Sequence, residues 1–149
     1  MPAYAWELLL KVCAEEQIPV PSVGWRVKHG VKQGYPNRAP EFTDKGVSFY
    51  WPSARAWIYK HRLTFTVDPR MPERWVRWLV LHEVAHLIHW RRHRWHKPHG
   101  LEFWRVAFRL YKQHGLYWFA LRREGYRRAR LWARQIAEEE RRQGSRAAS

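Results

Sequence analysis

Apolar residues recur at helical spacing over residues 3–17, where Trp6, Leu9, Leu10 and Cys13 share one stripe, and Pro19 and Pro21 end the run. Residues 22–28 read as a strand. Residues 29–46 (HGVKQGYPNRAPEFTDKG) are dense in Gly and Pro and read as a long loop. Residues 47–51 and 55–59 read as two short strands about a turn at Pro52 and Ser53. Residues 62–67 then alternate, with Leu63, Phe65 and Val67 on one face and Arg62, Thr64 and Thr66 on the other, the pattern of a half-buried strand. Past Pro69 and Pro72 the period changes from 2 to 3.6. Val76, Leu79, Val80, Val84, Leu87 and Ile88 give a broad apolar side to a helix over residues 73–94, which Pro98 and Gly100 break. A second helix follows over 101–114 and closes at Gly115. Residues 116–142 read as one final long helix, with Trp118, Leu121, Ala129, Trp132 and Ile136 in a stripe and a frayed tail from Gly144. This order predicts an α+β fold: a small, mostly antiparallel sheet packed on a helix, with an N-terminal helix and a long basic C-terminal one. Residues 1–115 form the expected core, and 116–149 a basic, aromatic-rich extension in the same compact unit.

With 149 residues the chain suits one domain. Its 11 Trp, 7 Tyr and 6 Phe supply large flat side chains, first of all for the core. The net charge of +15 is one-sided, because residues 91–149 carry 16 Lys and Arg against 5 acids. Such a field favours an anionic partner, with nucleic acid ahead of an anionic membrane. Arg122, Arg123, Arg127, Arg128, Arg130 and Arg134, interleaved with Tyr117, Trp118, Tyr126 and Trp132, are the candidate phosphate and base contacts. Cys13 is alone, which excludes an internal disulfide and a cysteine-based zinc ribbon. Glu7, Lys11, Glu15 and Glu16 interrupt the N-terminal apolar run, so it fails as a signal peptide or a membrane span. The expectation is a cytoplasmic protein without membrane association.

Within the helix predicted at 73–94 stands His82-Glu83-Val84-Ala85-His86, an H-E-x-x-H motif. Residues four apart sit one above the other on a helix, so both imidazoles converge on one ion, while Glu83 flanks it without binding. Three protein ligands and an open position make a catalytic zinc site; four make a structural one. The third ligand cannot come from the same straight helix. His89 lies about 10.5 Å beyond His82 along the axis, at 1.5 Å per residue, and His93 and His96 lie further still. It must follow a chain reversal, and Lys97-Pro98-His99-Gly100 supplies both the bend and a histidine. His99 is therefore the expected third ligand to one zinc ion. The longer H-E-x-x-H-x-x-G-x-x-H pattern is not met, since residue 89 is His and residue 92 is Arg.

The motif at 82–86 followed by Pro98-His99-Gly100-Leu101-Glu102-Phe103-Trp104 resembles the SprT-like metallopeptidases and their WLM and YgjP-like relatives. The likeness lies mainly over residues 62–110. It implies a zincin-like fold and a zinc peptidase hydrolysing peptide bonds, often one acting on DNA-associated protein. The zinc ribbon common after the SprT core is absent, and a basic helix takes its place. In the mechanism this implies, Glu83 is the general base for the attacking water. Glu102 is the candidate carboxylate to orient a ligand histidine. His61, Arg62, Tyr59 and Tyr111 are candidate oxyanion donors, and residues 55–67 the edge that pairs with an extended substrate. Two alternatives stay open. One is a nucleic-acid-binding or scaffolding protein whose zinc site is structural or vestigial, closed by a fourth ligand such as His96 or Glu102. The other is a regulator of the ImmA type, which would need an acidic third ligand.

Overall fold

The computed structural model describes residues 1–28, 41–42, 48–49, 52–95, 97–124 and 129–148. Along the chain these form α1 (Ala3–Glu16), β1 (Ser22–Val27), β2 (Glu41–Phe42), β3 (Ser48–Phe49), β4 (Ser53–Trp57), a 3-10 turn (Ile58–Lys60), β5 (Arg62–Val67), α2 (Glu73–His93), α3 (Leu101–Gln113), α4 (Tyr117–Arg123) and α5 (Ala129–Ala148). The fold is α+β. The expected loop at 29–46 holds β2, which pairs antiparallel with β3, and its remaining residues lie outside the described ones.

Strand β5 is the middle of a three-stranded sheet of order β1-β5-β4. The alternation predicted for it holds: Leu63, Phe65 and Val67 are buried and the residues between them are not. Register carries this inner face across the sheet, since Ala54 and Ala56 of β4 lie opposite Phe65 and Leu63, while Val23 and Trp25 of β1 flank the same two residues. The sheet is mixed, and this corrects the mostly antiparallel expectation. β4 runs antiparallel to β5 and β1 parallel to it. β4 also starts two residues earlier than read, and Ile58–Lys60 tightens into a 3-10 turn that ends on His61 in the left-handed region (φ 50°).

Helix α2 packs on the inner face of the sheet and is covered by α1 and α3 as well. It is therefore buried nearly all round from Trp75 to His89, and its polar residues His82, Glu83, His86 and His89 are carried inside with it. Helix α1 buries Ala5, Leu8, Leu9, Val12, Cys13 and Glu16, a stripe rotated from the expected one. Trp6 and Leu10 sit at its edge, 39% and 38% exposed. Helix α3 contributes Phe103, Trp104, Phe108, Leu110 and Tyr111 to the same core. It ends at Gly115, whose φ of +70° is the conformation that favours glycine.

The single C-terminal helix expected over 116–142 is two. Glu124 leaves the helical region (ψ 113°) and ends α4, and α5 resumes at Ala129. The reason lies in the core, where the Glu124 side chain is drawn into three hydrogen bonds described below. Helix α5 buries Ala129, Ala133 and Ile136 and runs past Gly144 to Ala148, beyond the frayed end expected. Exposed i,i+4 pairs such as Arg142 with Glu138 (2.5 Å) support its outer turns. Among the described residues no helix is long and apolar enough to cross a membrane.

Candidate metal centre

The burial of α2 puts His82 and His86 one turn apart beneath the surface, with ring centroids 5.2 Å apart. The chain leaves α2 at Arg94, whose left-handed backbone (φ 58°) turns it back, and returns to the same place at His99. His99 is itself left-handed (φ 57°), a conformation costing a non-glycine residue roughly 1–3 kcal/mol. One contact and the start of the next helix fix it there. Its carbonyl accepts a hydrogen bond from the Trp104 indole at 2.9 Å, and Gly100 opens α3 directly after it. As a result one ring nitrogen each from His82, His86 and His99 lies within 4.8 Å of the others. Phe103 walls the trio, stacked on His86 (4.1 Å between centroids) and edge-on to His82 and His99.

The two nitrogens of His82 have different environments. Nδ1 donates to Glu124 Oε1 at 3.0 Å, and Nε2 faces His99 Nε2 at 3.2 Å. Two nitrogens bound to one tetrahedral ion at about 2.0–2.1 Å would stand about 3.3 Å apart. The same Glu124 oxygen accepts the Trp78 indole N–H (2.9 Å) and the Tyr111 hydroxyl (2.6 Å). Burial alone would raise the Glu124 carboxyl. The charge and hydrogen bond of His82, with those from Tyr111 and Trp78, outweigh burial and hold it below the usual carboxylate range. Burial pushes the Tyr111 phenol far up, and the Glu124 charge adds to this, so the hydroxyl stays protonated and donates. For His82, burial opposes the charged form, but the charge and hydrogen bond of Glu124, with the charge of Glu83, raise its pKa on balance.

Glu83 lies on the other flank of α2, against β4. Its carboxylate accepts the Ala56 backbone N–H, and its pKa is raised, first by burial and then by the charge of Glu124, against a lowering by His82. It lies on a cleft of about 440 Å³ lined by residues 54–60, the three histidines and Pro98. The small Ala54 and Ala56 leave room there for a carboxylate to approach the strand.

The other predicted residues divide. Glu102 pairs with Arg105 (3.4 Å) and lines a second cavity of about 410 Å³, together with His89, Trp95 and Trp132, on which His99 also borders. The carboxylate bonded to His82 is Glu124, which the motif reading missed. It stands 42 residues after its partner, and no local spacing marks it. One signal was present, since it is the only acid between Glu102 and Glu138 in an arginine-rich stretch. Of the candidate oxyanion donors, Tyr59 lines the cleft, 83% exposed. Tyr111 donates to Glu124, His61 is hydrogen-bonded to the Pro19 carbonyl (2.6 Å), and Arg62 lies over Gly24 on the outer face of the sheet.

Among the candidate phosphate contacts, Arg122 and Arg134 are exposed, and Arg130 reaches the Leu121 carbonyl at 3.5 Å. Arg123 lies over the Trp75 and Phe119 rings. Arg127, Arg128 and the candidate fourth ligand His96 lie outside the described residues. Among the described residues, His82, His86 and His99 are the group that could hold a metal ion. Comparison with protein-family models, curated proteins and solved structures found no match.

Proposed function

We propose that this chain is a zinc-dependent metallopeptidase of zincin-like architecture, related to the SprT-like enzymes and hydrolysing peptide bonds. The observation that carries the reading is the convergence of the three histidine nitrogens within 4.8 Å beside the buried Glu83, all on one cleft. The donor set fits the metal. Three neutral imidazoles suit zinc, and the Glu124 bond fixes His82 with its proton on Nδ1, leaving the Nε2 lone pair for a cation. His82, His86 and His99 would hold the zinc, which would supply Lewis acidity to the scissile carbonyl and to the attacking water. Glu83, buried on the cleft beside the three histidines, takes a proton from that water and passes it to the leaving amine. Because Ala56 turns its N–H outward to Glu83, the same parity places the Ala54 N–H and C=O on that free edge of β4, where an extended peptide can pair.

The basic C-terminal region supports a nucleic-acid partner. Exposed Trp118 and Arg122 stand one turn apart on α4, and Arg134 is exposed on α5. The deciding experiment is zinc analysis and proteolysis, with and without DNA, of wild type, His99→Ala and Glu83→Gln. Wild type holds one zinc per chain, His99→Ala binds it far more weakly, and Glu83→Gln keeps zinc but loses cleavage. Equal cleavage by Glu83→Gln removes the mechanism.

A further inference from the structure

One wall of the cleft is cationic. Arg55, Trp57 and Lys60 all line it, with the Arg55 guanidinium 3.8 Å and the Lys60 ammonium 5.4 Å from the centre of the Trp57 ring. The indole is in turn fixed by its N–H bond to Thr64 Oγ1 at 3.1 Å. A cation over an aromatic face is held in place without being neutralised. Neither Arg55 nor Lys60 forms an ion pair with a described residue, and among the described residues the one carboxylate lining this cleft is Glu83, which accepts the Ala56 N–H. The outward face of the neighbouring strands adds Arg26 and Arg62 and no acid.

The register of β4 says where these charges act. Arg55 and Trp57 point to the outer face, opposite Thr64 and Arg62, while Ala54 and Ala56 point to the inner one. A strand added to the β4 edge places alternate side chains on each face. Those on the outer face then stand about 4.5–5.5 Å (Cβ to Cβ) from the side chain directly opposite. A residue opposite Arg55 therefore meets a guanidinium with free donors, and its neighbour two positions along meets Trp57 beside Lys60.

We propose that the cleft selects acidic peptides, with Asp or Glu at alternate positions of the segment paired to β4, read by Arg55 and Lys60. This rests on the peptidase reading and names its substrate class. A carboxylate matches the Arg fork in two parallel hydrogen bonds. A peptide fits better than a nucleic acid strand, because the edge beside these cations offers the main-chain N–H and C=O of Ala54 and the cleft ends on an acid.

The test uses full-length, zinc-loaded protein and three fluorescent peptides of one length, with acidic, neutral or basic residues at alternate positions. Binding is read by anisotropy on Glu83→Gln and cleavage on wild type. The acidic peptide should bind roughly three- to tenfold more tightly than the neutral one, as two exposed charge contacts allow, and lose that margin at high salt. Adding Arg55→Glu and Lys60→Glu should reverse the order so that the basic peptide leads. Arg55→Gln alone, a milder change for a variant that must stay folded, should shrink the margin. Equal binding of the three peptides, or an order unmoved by these substitutions in protein with an unchanged melting curve, overturns the proposal even if all three are cleaved. A single-stranded oligonucleotide that displaces the acidic peptide through the same two residues, and binds more tightly, overturns it in favour of nucleic acid. Cleavage of none of the peptides by zinc-loaded wild type would instead sink the peptidase reading, and the binding order would still judge the wall.

Discussion

At the scale of single residues, His82 shows how a short motif depends on a distant one. Its Nε2 is usable as a ligand because Nδ1 is bonded to Glu124, a carboxylate kept ionised by three donors on one oxygen. Glu124→Gln should leave the fold intact and lower zinc affinity about 10- to 100-fold, the usual cost of losing such a partner. Tyr111→Phe, which removes one of the three donors, should cost less. Competition against a chromogenic chelator measures both. Unchanged affinity in the Glu124 variant would mean that packing against Phe103 alone orients the ring. Legibility follows the same division. His82, Glu83 and His86 could be read because one helical turn relates them, and His99 because Pro98 and Gly100 announce a bend. Glu124 could not be, since the bond it makes depends on how α4 docks, which no local pattern encodes.

At the scale of elements, buried charge ties the first helix to the two that carry the site. Glu16 at the end of α1 pairs with Arg92 near the end of α2 and with Arg109 of α3. Burial would raise the Glu16 carboxyl, but the hydrogen bond and charge of Arg109, with those of Arg92, outweigh it and lower its pKa from the ordinary 4.5. A depressed folded value means that the staple contributes fully above the unfolded pKa and is lost as pH falls through the folded one. Glu16→Gln should therefore destabilise the protein at neutral pH by about 1–2 kcal/mol, a figure reduced because both arginines are partly exposed. The difference from wild type should fade in acid below the ordinary 4.5. Denaturant melts across pH would show it, and a constant difference would assign the effect to packing.

The elements also mark where pattern reading stops. Alternation identified β5 and its buried face, yet it carries no information on whether β1 lies parallel or antiparallel beside it. In α1 two of the four expected stripe residues, Leu9 and Cys13, are buried, while Trp6 and Leu10 lie at the edge and Ala5 and Leu8 take the inner places. The division of the C-terminal helix depends on the same Glu124 that escaped the motif reading.

At the scale of the whole molecule, the charge asymmetry was plain in the sequence and its use was not. Several C-terminal cations are engaged within the fold: Arg105 with Glu139, Lys112 with Glu140 and Arg123 over two aromatic rings. These contacts tie α4 and α5 to α2 and α3. Leu116, Ala120, Ala129, Ala133 and Ile136 are buried, and Glu124 is hydrogen-bonded to His82 of the histidine trio. Uncovering the apolar surface beneath those side chains costs several kcal/mol at about 25 cal/mol per Å², against a total stability of about 5–15 kcal/mol for an ordinary domain. A chain ending at residue 115 should lose cooperative melting and tight zinc binding together. One ending at residue 143, which removes exposed residues and no buried one among those described, should keep both. Circular dichroism melts with zinc stoichiometry distinguish the cases. A 1–115 fragment that melts cooperatively and holds zinc as tightly as the full chain would show that α4 and α5 decorate the site without building it.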